Sequence, residues 1–238
     1  MPALGPLSRL SDVSLAFNSL GAAGAAVLAS PIGALTALTE LRLAGNAIGA
    51  DGAVSLAPAL SRLSRLALLD LAGTGLGADG VAALVSAIAL LTELTALDVS
   101  ENDVGADGAA SLASALSRLS RLEELHLSGG GLGAAGAASI ASALSPLCRL
   151  AALDLAINGL GSAGAAALAP ALGRLTALTR LNLSFNGLGG DDVQQLTPAL
   201  GQLTRLHDLC LDERVWNGAL DSATAALRAR LPACATVR

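Results

Sequence analysis

Apolar residues recur along this chain at a fixed interval of 28 positions. Eight leucines mark the interval without a single insertion: Leu10, Leu38, Leu66, Leu94, Leu122, Leu150, Leu178 and Leu206. Positions within each repeat are counted below as offsets from this leucine. Self-similarity at one fixed period is the signature of a repeat architecture, so we expect one structural unit per 28 residues.

Two apolar patterns alternate within each unit. Offsets 3 and 5 are apolar around a variable residue, as in 69–71, which predicts a short strand with one buried face. Offsets 18, 22 and 25 are apolar as well, as in Leu56, Leu60 and Leu63. Spacings of four and three predict one face of a helix. Each unit is therefore predicted to be a strand, a turn, a helix and a return loop.

Polar residues mark the boundaries of these elements. Aspartates stand before the predicted helices, where a carboxylate accepts unpaired backbone N–H groups: Asp51, Asp79, Asp107 and Asp191. Offset 8 is Asn in five copies, namely Asn18, Asn46, Asn102, Asn158 and Asn186. Gly130 takes that position in the fifth repeat, so we expect this repeat to be the least stable.

The pattern L-x-x-L-x-L-x-x-N-x-L-G resembles the leucine-rich repeat. The 28-residue length and the segments Leu97–Asn102 and Gly105–Ala110 resemble the ribonuclease-inhibitor-like subfamily, which includes the repeats of RanGAP, NOD-like receptors and bacterial GALA effectors. The resemblance covers residues 2–215. It implies that the offset-8 asparagine bonds backbone groups of its own turn and of the neighbouring turn, and it implies protein binding as the shared function.

We therefore expect one α/β domain over residues 1–238, a right-handed leucine-rich-repeat solenoid. Stacked repeats should place a parallel β-sheet on the concave side and helices on the convex side. Residues 1–9 are predicted to be the partial helix of an uncapped first repeat, 10–205 seven full repeats, and 206–238 a degenerate eighth repeat with a closing helix over Leu220–Leu231 after Trp216. The bare first repeat indicates a fragment boundary or a covering partner chain.

Composition excludes several functions. Hydrophobic residues make up 53% of the 238 residues and charged residues 14%, which excludes intrinsic disorder. The net charge of −5, and the absence of lysine and tyrosine, argue against a nucleic-acid binder. The uncharged run 13–39 is long enough to span a bilayer, but Asn18, Pro31 and the repeat phase argue against membrane insertion. Three widely spaced cysteines and no recognisable signal peptide favour a cytoplasmic protein.

Candidate chemistry is sparse, and we expect no catalytic site, cofactor or metal. Asp98, His126 and Asp154 occupy offset 4 of successive repeats, which places them side by side on neighbouring strands. Such a run is either a metal or acid–base site or a solvated polar stripe. The stripe is favoured because nothing in the pattern supplies a pocket that excludes water.

The strand positions carry a marked charge bias. Eleven acidic residues, against Arg42 and Arg180, occupy offsets on or beside the predicted concave sheet, while most other arginines cluster at offsets 24 and 27. An acidic surface would attract a basic partner; alternatively, charge falls there because some surface must carry it. Exposed residues at offset 7, Ile157 and Phe185, are either interface anchors or turn filler. The candidate binding residues are Arg42, Asp70, Asp98, Glu101, His126, Asp154, Ile157, Asn182 and Phe185.

These observations predict a non-enzymatic scaffold that binds a protein partner on its concave sheet. The resemblance leaves three alternatives open: a RanGAP-like activator of a small GTPase, the substrate-recognition module of a ubiquitin ligase, and a fragment of a NOD-like receptor.

Overall fold

In the computed structural model, which describes residues 9–211 and the backbone of 236–237, each of the first seven repeats is a strand followed by a helix. The strands are β1 (Asp12–Ser14), β2 (Glu40–Arg42), β3 (Leu68–Asp70), β4 (Ala96–Asp98), β5 (Glu124–His126), β6 (Ala152–Asp154), β7 (Arg180–Asn182), β8 (Asp208–Cys210) and β9 (Thr236–Val237). The helices are α1 (Gly21–Gly33), α2 (Gly49–Leu60), α3 (Gly77–Ile88), α4 (Gly105–Leu116), α5 (Gly133–Leu144), α6 (Gly161–Leu172) and α7 (Gly190–Leu200).

The strands form one open parallel sheet in sequence order, β1 to β9. Each residue pairs with the residue 28 positions further along, as Leu69 pairs with Leu97, and β9 continues this register with Asp208 opposite Thr236. The predicted α/β leucine-rich-repeat solenoid is thereby confirmed. Each unit contacts the units before and after it, so the core is one continuous column of stacked leucines.

Most of the predicted core positions are buried as expected. Leu69 at offset 3, Leu71 at offset 5 and Leu60 at offset 22 have no solvent exposure. The helix prediction needs one correction, because α2 ends at Leu60 and Leu63 at offset 25 lies beyond it. Leu63 is nevertheless fully buried. The apolar offset therefore belongs to the return loop, whose buried leucine extends the helix face without being helical.

The predicted capping role of the aspartates is wrong. Asp51, Asp79 and Asp107 lie inside the first turn of their helices, which begin two residues earlier, and no side chain caps these helices. The exception is α7, where the side chain of Asp192, rather than that of Asp191, accepts the Gly189 N–H at 2.8 Å. The other helices begin at a glycine with positive φ, such as Gly105 at 64°. The chain thus enters the helix through a conformation that disfavours a capping side chain.

Buried asparagine side chains join each turn to the turn before it. The Asn158 amide donates to Leu155 O and Ala156 O in its own turn, both at 3.0 Å, and to Leu127 O of the preceding repeat at 2.9 Å. Its carbonyl oxygen accepts the Gly130 and Leu132 N–H groups at 3.0 and 3.3 Å. We call Asn46, Asn102, Asn158 and Asn186 the asparagine ladder. It satisfies backbone groups that water cannot reach.

Among the seven repeats whose offset 8 lies in the described residues, two have no asparagine there. Thr74 donates its hydroxyl to Leu71 O in its own turn at 2.6 Å, and Gly130 has no side chain to offer. The lower stability of the fifth repeat stays a prediction.

Two further predictions concern other parts of the chain. No helix within the described ranges is long and apolar enough to cross a bilayer. The partial helix predicted over residues 1–9 lies, apart from Arg9, outside the described residues, and so do Trp216 and the closing helix Leu220–Leu231.

Replacing Asn158 with alanine should lower the free energy of unfolding by about 3 kcal/mol, because it leaves buried backbone groups of two repeats without partners. Asn18 is the matched control. Among the residues that the structure describes, its exposed side chain bonds to Leu15 O and Ala16 O of its own turn and to no other repeat, so Asn18→Ala should cost less than about 1 kcal/mol. Urea denaturation followed by circular dichroism measures both, and equal losses would contradict a role for the ladder in joining repeats.

Candidate binding surface

The outward-facing side chains of β1–β8 form two parallel rows, and we call this side of the sheet the strand face. Strand pairing places the offset-4 residues in one row: Ser14, Arg42, Asp70, Asp98, His126, Asp154, Asn182 and Cys210. The second row consists of the offset-2 residues, each of which is the first residue of its strand. Six of the nine predicted binding residues therefore lie side by side in one row.

The acidic members of this row have a structural role that the sequence analysis missed. Asp70 Oδ1 accepts the N–H of Ala72 at 3.0 Å, and Asp98 and Asp154 accept the N–H two residues further on at 2.9 Å. Asn182 does the same for Ser184 at 3.1 Å. Side-chain bonds of this kind begin a turn, and Asp and Asn are the residue types that favour them. The three aspartates at one offset were the available signal.

Arginine charges on the strand face are neutralised by neighbouring carboxylates. Arg42 contacts Glu40 at 2.6 Å and Asp12 at 3.2 Å, and its hydrogen bond to Glu40 raises the pKa of the guanidinium. Arg180 contacts Glu124 at 2.8 Å. Six other carboxylates on or beside the strand face have no ion-pair partner among residues 9–211: Asp70, Asp98, Glu101, Glu123, Asp154 and Asp208. The surface is therefore acidic after pairing is taken into account.

His126 stands at the centre of the row without forming the Asp–His–Asp contact considered above. The carboxylate within ion-pair distance is Glu124 on the same strand, 3.7 Å from His126 Nε2, rather than Asp98 or Asp154. Within the described part of the chain, no group of three His, Cys, Asp or Glu side chains is arranged to hold a metal ion. This geometry fits the solvated polar stripe.

Two shallow depressions of about 180 and 170 Å³ lie on the strand face. They form where offset 2 holds alanine, at Ala152 in one and Ala96 in the other, because most other strands begin with a longer side chain. His126 lines both depressions. Each is smaller than the roughly 300–1,000 Å³ of typical small-molecule sites, so the surface is suited to receiving side chains of a larger partner.

The offset-7 residues at the edge of the strand face share an unusual backbone conformation. All seven in the described residues have positive φ: Gly45, Gly73 and Gly129 at 60–65°, and Phe17, Glu101, Ile157 and Phe185 at 56–58°. Left-handed backbone costs a non-glycine residue about 1–2 kcal/mol, and most for a β-branched one. Phe17, Ile157 and Phe185 are nevertheless 81%, 52% and 70% exposed. Burial therefore does little to offset this strain.

Asp70 is half-buried, and the loss of solvent around its carboxylate, followed by repulsion from Asp98, raises its pKa above the usual value. A raised folded-state pKa means that the ionised carboxylate destabilises the fold. This penalty is present at neutral pH and disappears as the pH falls below the unfolded-state pKa of about 3.9.

Asp70→Asn should therefore raise the free energy of unfolding at pH 7, and the gain should vanish below about pH 4. The amide can retain the turn bond, as Asn182 does. Carboxyl NMR titration should also show the pKa of Asp70 falling in Asp98→Asn, which removes the neighbouring charge. A pH-independent stability difference between wild type and Asp70→Asn would contradict the effect of burial.

Comparison with known proteins agrees with this fold. A family model described as a leucine-rich repeat matches residues 34–57, 91–113, 120–141 and 175–196, each match starting two to four residues before a repeat leucine. No curated protein sequence matches the chain. Among solved structures, the chain is similar to leiomodin-1 actin-binding site 2, with 19% identity and a TM-score of 0.53 over 66% of this chain and 88% of that one.

The leucine columns, the parallel register of 28 residues and the four matches in phase with it lead to one conclusion: the chain is a leucine-rich repeat protein.

Proposed function

We propose that this protein is a non-enzymatic scaffold whose strand face binds a basic segment of a protein partner. The observation that carries the proposal is the set of Asp70, Asp98 and Asp154, none of which forms an ion pair with an arginine of residues 9–211. Turn bonds fix each carboxylate through one oxygen, which leaves the second oxygen outside that bond. Because these carboxylate side chains are already ordered, they lose less conformational entropy when a partner binds.

The offset-7 residues would supply the apolar part of the contact. Ile157 and Phe185 lie on neighbouring repeats, and both are more than half exposed. The depression lined in part by Ala152, Asp154 and Asn182 includes the strands of the same two repeats. A basic segment with an apolar side chain could therefore contact both groups at once. The strained backbone at these exposed residues supports a binding role, because strained residues are concentrated at functional sites.

The finer assignments are proposals as well. We place the chain in the ribonuclease-inhibitor-like subfamily on its 28-residue motif, and in the cytoplasm on its cysteine count. We also treat residues 1–238 as one repeat domain. Similarity to an actin-binding region at 19% identity supports the fold and does not select actin as the partner. No observation on the strand face favours GTPase activation, ubiquitin ligation or a NOD-like receptor.

Neutralising the row should weaken binding without disturbing the turns. Random 12-residue peptides selected by phage display against the wild type should be enriched in positive charge. Asp70/Asp98/Asp154→Asn should lower the affinity of a selected peptide about tenfold, which corresponds to about 0.5 kcal/mol per charge. Fluorescence anisotropy with the synthetic peptide measures the change.

The matched control removes three negative charges elsewhere. Asp51, Asp79 and Asp107 are exposed in the first turns of α2, α3 and α4, and Asp51/Asp79/Asp107→Asn should leave the affinity within about twofold. Selected peptides without a basic bias, or equal losses in both triple variants, would refute the strand face as a site for basic segments.

A second test separates interface anchors from turn filler. Ile157→Gly and Phe185→Gly should reduce peptide affinity while the free energy of unfolding stays constant or rises, because glycine relieves the left-handed strain. Thermal and urea denaturation give the stability. If either variant loses more than about 1 kcal/mol, the side chain stabilises the turn and is not held there for binding.

A further inference from the structure

Arginine is distributed very unevenly over the described part of the chain. Residues 9–211 contain ten arginines, and eight of them lie in the loops that lead into the strands. We call these eight, all exposed, the basic edge: Arg9, Arg62, Arg65, Arg118, Arg121, Arg149, Arg174 and Arg205. The remaining two are Arg42 and Arg180 on the strand face. This concentration of positive charge is opposite in sign to the net charge of the chain, which is −5.

The topology brings the eight arginines to one side of the molecule. All strands are parallel, so every loop that leads into a strand lies at the same edge of the sheet. The loops that leave the strands lie at the other edge, and those of the described repeats contain no arginine. That other edge carries Glu101 and Asp103, and beside them Asp51, Asp79 and Asp107 in the first helical turns. The two edges therefore carry opposite charge.

Few carboxylates neutralise the basic edge. Within the described loops that lead into strands, the acidic residues are Glu93 and Glu123. Arg121 forms an ion pair with Glu93, while the other seven arginines form none with residues of the described ranges. Four consecutive loops, at 117–123, 145–151, 173–179 and 201–207, each contribute at least one arginine. The positive charge is thus continuous over four repeats.

Two exposed large apolar side chains belong to the same edge. Leu90 is 55% exposed and occupies offset 24, between Arg62 and Arg118 in the neighbouring repeats, and Leu10, beside Arg9, is 36% exposed. Two leucines in separate repeats are a poor membrane anchor, since stable attachment to a bilayer needs a larger buried apolar area. Guanidinium groups, in contrast, form paired hydrogen bonds with carboxylates. These features favour an extended acidic polypeptide over an anionic membrane.

We propose that the basic edge is a second binding surface, which takes an extended acidic segment of a protein partner across the loops at 117–123, 145–151, 173–179 and 201–207. The segment would place carboxylates against Arg118, Arg149 and Arg174. This surface shares no residue with the proposed site on the strand face. The two proposals can therefore fail separately.

The probe is a fluorescein-labelled 12-residue peptide of glutamate with one central leucine, followed by anisotropy at low and physiological salt. Arg118/Arg149/Arg174→Gln should lower its affinity about tenfold, and Asp70/Asp98/Asp154→Asn should not weaken it. Circular dichroism and thermal denaturation establish that the variant is folded. Unchanged affinity in the folded arginine variant would refute the proposal.

A matched pair of single variants separates the basic edge from net charge. Glu93→Gln releases Arg121 from its ion pair and should tighten peptide binding about twofold to threefold. Asp51→Asn also removes one negative charge, at the opposite edge, and should change the affinity little. Equal tightening in both variants would mean that the peptide responds to net charge alone, which overturns the proposal.

Two further outcomes would identify a different occupant. Binding to vesicles of phosphatidylserine and phosphatidylcholine in the absence of peptide binding would assign the edge to membranes. The protein could instead self-associate in sedimentation experiments in a salt-dependent way without binding the peptide. If either the arginine variant or the Asp70/Asp98/Asp154 variant abolished that association, the occupant of the edge would be the strand face of a second copy. Either result overturns the acidic-segment proposal.

Discussion

The buried turn between strand and helix is the constraint on which this structure depends. Strands of three residues provide few backbone hydrogen bonds between neighbouring strands, so the turns must contribute the remaining contacts between repeats. A ladder asparagine such as Asn158 meets this need with five hydrogen bonds, three of them to the preceding repeat. Because these bonds reach across to the neighbouring repeat, no repeat can complete its own turn. Stability is therefore a property of adjacent pairs of repeats.

The same turn determines where the surface is free to vary. A left-handed residue at offset 7 directs its side chain away from the core, so glycine, glutamate, isoleucine and phenylalanine are all compatible with one backbone. Between the first two repeats the Phe17 ring lies directly over Gly45, so closely that a Cβ on that glycine would clash with it. The fold thus fixes the backbone and leaves side-chain identity at this edge open to selection for binding.

Sequence periodicity was sufficient to predict the fold, the strand register and the shared row of Asp98, His126 and Asp154. A fixed interval of 28 residues leaves one register possible, because a slip would expose the leucines of every strand. Local chemistry was harder to predict. The turn bond of Asp70, and the position of Asp51 inside its helix, depend on backbone angles that apolar spacing does not specify. The pairing of Arg42 with Asp12 joins residues 30 apart, and only coordinates show which rotamers meet.

The opposite charge of the two sheet edges gives residues 9–211 a transverse electric dipole. Such a dipole exerts a torque on the protein in the field of any charged body, so the molecule turns before it touches its target. Approach to an acidic surface would present the arginine loops first, and approach to a basic one would present the opposite edge. Added salt shortens the reach of this orientation to within about 10 Å at 0.1 M. Ionic strength therefore governs how often the molecule arrives correctly oriented.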